Sequence, residues 1–126
     1  MKIFIYGTLK SNCSNHSFFK KFIKENSEKK IVRTVEEYPM YKLDSYFPYL
    51  ENSPGIGKEI IGELYEINEK KLYMLDYFEG VPELYQQGNI TVVDNKLNIY
   101  RNVLVYFKTE KLKDYSNIKF LSEWIE

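Results

Sequence analysis

The spacing of apolar residues changes along the chain, and each spacing predicts a different kind of element. Residues 3–6 are a continuous apolar run with β-branched and aromatic side chains, which is typical of a buried strand. Further on, Phe18, Phe22 and Ile23 recur at helical spacing with lysines between them. This pattern predicts an amphipathic helix over residues 15–25.

Extended structure is predicted through the middle of the chain. Residues 31–43 and the aromatic segment 46–50 favour strands, and residues 53–57, rich in Pro and Gly, form the clearest turn. Alternating side chains then predict a strand over residues 58–67. Gly62 lies inside that strand, where a glycine indicates a bulge or the close approach of another group.

A second helix is predicted to begin after Asn68, a good N-cap residue, and to end at Gly80. Two strands follow near residues 84–94 and 99–107, and we expect the tail at residues 120–125 to form a short closing helix or a strap. Two helices among five or six strands are too few for repeated βαβ units. The pattern therefore predicts an α+β fold, a mostly antiparallel and possibly barrel-like sheet with helices at its side.

The composition excludes several classes of function. The 18 Lys and Arg residues balance the 18 Asp and Glu residues, so there is no electrostatic basis for binding nucleic acid or a membrane surface. A single cysteine, Cys13, and a single histidine, His16, rule out an internal disulfide and a two-histidine zinc site. No apolar run could span a bilayer and no signal peptide is recognisable, so we expect a cytoplasmic protein with residues 1–126 as one domain.

Gly7 breaks the first strand at a position where a turn can present several backbone N–H groups to an anion. Most glycines at the ends of strands are only turns. Gly7 therefore defines a site only if another chemical group faces the same loop.

Glu79 prolongs the apolar stripe of the second helix. It follows Leu72 by seven residues and Leu75 by four, which places all three on one side of the helix. A carboxylate there loses hydration, so its pKa should rise above about 4.3, toward the range that a general acid/base needs at neutral pH. The alternative is that Glu79, in the last turn, only accepts hydrogen bonds from loop N–H groups.

Three further polar residues are expected to be structural. Asp76 lies one turn before Glu79 and is predicted to bond the backbone or a tyrosine. His16 lies at a helix start, where a lone histidine is more often packed or capping than catalytic. Cys13 has no activating neighbour except the helix N-terminus, which can lower a thiol pKa, and we expect it to be a bystander.

Four short motifs, taken together, resemble a known family. They are YGTLK at residues 6–10, GELY at 62–65, LDYFEG at 75–80 and PELYQ at 82–86. In order and spacing they resemble the γ-glutamylcyclotransferase-like (AIG2-like) family over residues 3–93, most closely its γ-glutamylamine cyclotransferases. The fold of that family is a small β-barrel flanked by short α-helices.

The resemblance also implies a reaction. The glutamyl α-amino group would attack the γ-amide carbonyl, closing 5-oxoproline and releasing an amine, with Glu79 as the general acid/base. The substrate-binding residues would be Tyr6, Gly7, Thr8, Leu9 and Tyr85. The partner is a small γ-glutamyl molecule, no metal or cofactor is implied, and we expect a monomer or weak dimer.

The identity of the substrate stays open. Gln87 stands where many relatives have Arg, which removes a charge that would anchor the substrate or brace Glu79. The first hypothesis is action on γ-glutamyl amines such as γ-glutamyl-ε-lysine. The alternatives are the same reaction on γ-glutamyl amino acids and a non-catalytic small-molecule-binding domain, which would not need Glu79.

Overall fold

The computed structural model describes residues 1–43 and 46–126. The strands in these residues are β1 (Lys2–Ile5), β2 (Lys30–Tyr38), β3 (Met40–Tyr41), β4 (Tyr49–Leu50), β5 (Lys58–Glu66), β6 (Tyr85–Asp94) and β7 (Ile99–Lys108). The α-helices are α1 (His16–Phe19) and α2 (Leu72–Glu79). The strand predictions for residues 31–43, 58–67, 84–94 and 99–107 are confirmed within one or two residues.

Five strands close into a barrel in the order β1-β5-β2-β6-β7. Neighbouring strands are antiparallel except β1 and β7, which are parallel where Ile3 pairs with Leu104. β3 and β4 form a separate antiparallel pair. The predicted fold, a small and mostly antiparallel β-barrel flanked by two short α-helices, is confirmed.

Alternating side chains place two apolar layers on the two faces of the barrel wall. Phe4 and Val105 belong to one buried cluster, whereas their neighbours Ile3 and Leu104 belong to another that includes Leu75 of α2. Because successive strand residues face opposite sides of a sheet, the first cluster fills the barrel and the second attaches the helices to its outside.

Gly62 of β5 allows β1 to pack closely on the barrel wall. A Cβ atom at this position would lie 2.5 Å from the carbonyl oxygen of Ile5 and 2.6 Å from the ring of Phe4. Both distances are shorter than any side chain tolerates, so the predicted close approach is confirmed. The loop that follows β1 therefore starts from a tightly held strand.

The predicted helix over residues 15–25 is wrong in its length. α1 continues only as a 3-10 turn over Lys20–Phe22, and the backbone becomes extended at Ile23. Ile23 pairs with Ile67, which lies far away in the sequence. Helical spacing of apolar residues cannot show such a contact, and the contact ends the helix early.

The end of α2 agrees with the prediction, whereas its first predicted turn is a 3-10 turn over Glu69–Lys71. The Asn68 side chain accepts a 3.0 Å hydrogen bond from the Lys70 N–H, at the start of a 3-10 turn that leads into α2. Gly80 follows the helix with φ 70°, in the left-handed conformation that favours glycine. Glu79 is therefore the last helical residue.

Two irregular segments complete the fold. Residues 46–50 are extended only at β4, and Tyr46 and Phe47 form a bend, so the predicted strand is too long there. The tail is a strap, tied to the barrel by a 2.7 Å hydrogen bond from the Ile61 N–H to the Ser122 carbonyl. The side chain of Trp124 is buried in the core.

Candidate active site

A cavity of about 290 Å³ opens where the loop after β1 meets the end of α2. Residues 6–9 of the loop and Phe78 and Glu79 of α2 line it. The remaining wall includes Phe47, Pro48, Leu84, Tyr85 and Tyr106. All six residues proposed from the sequence, Tyr6, Gly7, Thr8, Leu9, Glu79 and Tyr85, therefore lie in the lining of one cavity.

The loop after β1 is fixed by its own hydrogen bonds. Asn15 donates twice to Thr8, from its N–H to the carbonyl over 2.9 Å and from Nδ2 to Oγ1 over 3.0 Å. The Lys10 N–H donates to the Gly7 carbonyl over 3.0 Å. Within residues 1–43 and 46–126, the N–H groups of Gly7, Thr8 and Leu9 donate no hydrogen bond. These three N–H groups are therefore unused within the described residues.

Two tyrosines connect the loop, the barrel and α2. The Tyr6 hydroxyl donates to the backbone carbonyl of Tyr106 over 2.6 Å. The Tyr106 hydroxyl in turn donates to Asp76 Oδ1 of α2, also over 2.6 Å. The predicted structural role of Asp76 as a partner for a tyrosine is confirmed. Asp76 lies three residues before Glu79, so this chain of bonds fixes the helix end relative to the loop.

The Glu79 carboxylate has a raised pKa. Burial raises its pKa from an ordinary value of 4.5 to about 7. Burial raises the pKa values of Tyr6, Tyr85 and Tyr106, and the negative charge of Glu79 adds a smaller effect in the same direction. In the described part of the chain the Glu79 carboxylate accepts no hydrogen bond and forms no ion pair. The carboxylate is therefore desolvated by its surroundings but free to contact a ligand.

Comparisons with known proteins identify the family of this chain. The sequence model of the family described as gamma-glutamyl cyclotransferase, AIG2-like, matches residues 3–125. The chain belongs to this family. Gamma-glutamylaminecyclotransferase C of Danio rerio is 32% identical over 127 residues, covering 98% of this chain and 79% of that protein.

Two further relatives support this assignment. Gamma-glutamylaminecyclotransferase B of Danio rerio is 35% identical over 122 residues, covering 91% of this chain and 63% of that protein. The crystal structure of an AIG2-like protein from Mus musculus matches with a TM-score of 0.85 at 26% identity, over 98% of this chain and 87% of that one. The family and the names of these relatives indicate a γ-glutamyl cyclotransferase enzyme.

Gln87 does not reach the cavity of this AIG2-like chain. Its Nε2 donates to Asp76 Oδ1 over 2.7 Å, so it braces the same carboxylate that holds Tyr106. Gln87 therefore does not take the place of the charge that the family's usual Arg would supply. Its effect on the site passes through Asp76.

His16 and Cys13 lie outside the cavity lining among the described residues. His16 is the first residue of α1, and its Nδ1 lies 2.8 Å from the Leu9 carbonyl, so it packs against the loop as expected. Burial and the nearby Glu126 carboxylate raise the pKa of the Cys13 thiol. The helix N-terminus therefore does not activate Cys13.

Several lining residues had no place in the site predicted from the sequence: Asn15, Phe47, Pro48, Phe78, Leu84 and Tyr106. Phe78 and Leu84 lie directly beside predicted site residues, so the motifs could have indicated them. Tyr106 gives no local sequence signal, because only the parallel contact of β1 with β7 brings it beside Tyr6.

No group of three or more metal-binding side chains occurs in residues 1–43 and 46–126. None of the helices in the same residues is long and apolar enough to span a membrane.

Proposed function

We propose that this protein converts γ-glutamyl amines to 5-oxoproline and a free amine by intramolecular aminolysis. One observation carries the proposal: the half-buried Glu79, whose pKa burial raises to about 7, lines the same cavity as Gly7, Thr8 and Leu9, whose backbone N–H groups donate no hydrogen bond within the described residues. The volume of about 290 Å³ suits a small molecule.

The loop would bind the glutamyl end of the substrate. The N–H groups of Gly7, Thr8 and Leu9 can donate to the α-carboxylate, because they are not used within the described chain. Anchoring this carboxylate holds the α-amino group near the γ-carbonyl, which favours closure of a five-membered ring. The Tyr85 hydroxyl stays protonated, because burial raises its pKa, and serves as a further donor to the substrate.

Glu79 would move the proton. As a carboxylate it takes a proton from the α-ammonium group, and the freed amine attacks the γ-carbonyl carbon to form the new C–N bond. The protonated Glu79 then returns the proton to the leaving nitrogen as the original amide C–N bond breaks. The ring nitrogen passes its second proton to the released amine, which departs as an ammonium ion. A pKa of about 7 leaves roughly half of Glu79 ionised at neutral pH, which suits both steps.

The test is release of 5-oxoproline from γ-glutamyl-ε-lysine and from γ-glutamyl-alanine. We expect turnover of the first and a loss of at least about 100-fold in kcat for Glu79→Gln, with substrate binding kept. Glu83→Gln is the matched control, since Glu83 is exposed and lies outside the cavity lining. No product from either compound would refute the proposal, and an active Glu79→Gln protein would refute the role of Glu79.

The cytoplasmic location and the monomeric or weakly dimeric state stay predictions.

A further inference from the structure

Glu63 of β5 has a buried carboxylate that the proposed reaction does not use. Glu63 is 6% exposed and lies outside the cavity lining. Its carboxylate accepts three hydrogen bonds, from the Ser11 N–H over 2.7 Å, from the Ser11 hydroxyl over 2.6 Å and from the Tyr65 hydroxyl over 2.8 Å. Bonds to a charged acceptor are stronger than bonds between neutral groups. The chain at Ser11 is therefore held firmly against β5.

Within residues 1–43 and 46–126, no ion pair includes Glu63. Lys29 lies nearby, but its Nζ donates to the Ser11 hydroxyl over 3.1 Å. A buried carboxylate without a cation depends on its hydrogen bonds to offset the loss of water. Two of the three bonds come from Ser11, so the Glu63 carboxylate and the chain at Ser11 hold each other in place.

Glu63 holds the chain on both sides of the loop that lines the cavity. β1 ends at Ile5, which is paired with Glu63 in the antiparallel ladder of β1 and β5. Residues 6–9 of the loop follow, and the chain then returns to the Glu63 side chain at Ser11. Between these two attachments, the bond from the Lys10 N–H to the Gly7 carbonyl closes the turn. One residue of β5 thus fixes the backbone before and after the loop.

The unused N–H groups of the loop can bind a carboxylate only if the backbone holds them in the right direction. A hydrogen bond weakens steeply as its donor angle departs from a straight line. A displacement of about 1 Å, caused by a change outside the site, can already impair a reaction that depends on positioning. The attachment of the loop at Ile5 and Ser11 limits such a displacement.

We infer that Glu63 is a positioning residue for substrate binding. It sets the orientation of the Gly7, Thr8 and Leu9 N–H groups toward the glutamyl α-carboxylate, without itself contacting the substrate. This inference rests on the proposed cyclotransferase function. It separates the two carboxylates by role, since Glu79 moves the proton and Glu63 holds the loop.

The first experiment is Glu63→Gln, which keeps the size of the side chain but replaces one acceptor oxygen with an NH₂ donor. The N–H groups of the loop hold the α-carboxylate in the substrate and in the transition state alike. KM for γ-glutamyl-ε-lysine, or for γ-glutamyl-alanine if only that compound reacts, should therefore rise at least about tenfold, while kcat stays within about threefold.

The matched control is Asp94→Asn at the far end of the β6–β7 hairpin. Asp94 is 7% exposed, and its carboxylate accepts bonds from the Lys96 and Asn98 N–H groups and the Tyr100 hydroxyl. Asp94→Asn should leave KM and kcat unchanged. A folded Glu63→Gln protein with an unchanged KM, or with a lower kcat alone, would overturn the inference. No 5-oxoproline from the unmodified protein would instead overturn the proposed function.

The second experiment changes the other partner and does not depend on the folding of Glu63→Gln. Ser11→Ala removes one of the two bonds from Ser11 to Glu63, so KM should rise about two- to fourfold with kcat unchanged. Ser27→Ala is the control, because it removes a 2.9 Å bond from the Glu66 N–H, elsewhere on β5. Equal KM values for the two serine variants would contradict the inference.

Discussion

At the scale of single residues, the chemistry of the site depends on how the end of α2 is buried. Leu75, one turn before Glu79, is fully buried, while Tyr77 and Phe78 remain exposed to different degrees. Glu79 lies between these extremes, because its surroundings remove water while the cavity leaves its oxygens accessible. Its pKa of about 7 is the result of this position.

The pH dependence of the reaction should report this pKa directly. Glu79 must be ionised to accept the substrate proton, so kcat/KM should fall about tenfold per pH unit below pH 7. The measurement is 5-oxoproline release at limiting substrate between pH 4 and 8. An acidic limb centred near 4.5 would show that Glu79 is not desolvated in solution.

The free energy of unfolding should fall as the pH rises, whereas kcat/KM should rise. The folded protein keeps Glu79 protonated up to about pH 7, whereas the unfolded chain releases that proton near 4.5. The folded state therefore binds more protons in this window, and its stability falls as the pH rises through it. The free energy of unfolding of Glu79→Gln, relative to that of the unmodified protein, should therefore rise by about 2–3 kcal/mol from pH 4.5 to pH 8.

Urea unfolding at the two pH values measures this gain. Glu83→Gln is again the control, because Glu83 is exposed and lies outside the cavity lining. A Glu79→Gln protein whose relative stability does not change with pH would contradict the burial of the carboxylate.

At the scale of elements, the site depends on how α2 is attached to the barrel. The Tyr106 hydroxyl of β7 bonds Asp76, and the Tyr106 carbonyl receives the Tyr6 hydroxyl of the loop. Tyr106 thus connects the loop after β1 with α2, and both of these line the cavity. Gln87 of β6 supports the same Asp76 carboxylate from the neighbouring strand.

Tyr106→Phe should test this connection. It removes the bond to Asp76, so we expect a loss of about 1 kcal/mol in the free energy of unfolding and a several-fold lower kcat. Tyr100→Phe is the matched control, because it removes the comparable 3.0 Å bond from Tyr100 to Asp94 at the far end of the hairpin. Equal effects of the two variants on kcat would show that Tyr106 does not position the helix end.

The limits of many helices and strands could be predicted from the sequence, because the interactions that decide them are local. Asn68 begins the 3-10 turn that leads into α2 and Gly80 ends α2, both through capping chemistry that operates within a few residues. The length of α1 could not be predicted, since the pairing of Ile23 with Ile67 overrides the helical spacing. Tyr106 was not recognisable as part of the site, because only the pairing of strands distant in sequence brings it beside Tyr6.

At the scale of the whole molecule, the tail closes the core. Trp124 is 8% exposed, and its carbonyl accepts a 2.5 Å hydrogen bond from the buried Lys10 Nζ, which follows the loop. The Leu121 N–H bonds the Met40 carbonyl over 2.8 Å. The sequence indicated a strap, but not that its tryptophan reaches the core.

Trp124→Ala should therefore lower the free energy of unfolding by about 3 kcal/mol or more, because it leaves a cavity in the core. Ile125→Ala, at a side chain that is 78% exposed, should have almost no effect. Chemical denaturation of both variants decides the question, and similar midpoints would mean that the strap is dispensable.

The bond between Tyr6 and Tyr106 joins residues that are 100 positions apart. During translation the loop emerges from the ribosome long before its anchor has been made, since a chain grows by about 5–20 residues per second. Until β7 is complete, the Tyr6 hydroxyl has no acceptor at Tyr106 and the cavity lacks the wall that Tyr106 provides. A nascent chain that stops short of residue 106 should therefore be unable to form 5-oxoproline, so activity would begin only with release of nearly the whole chain.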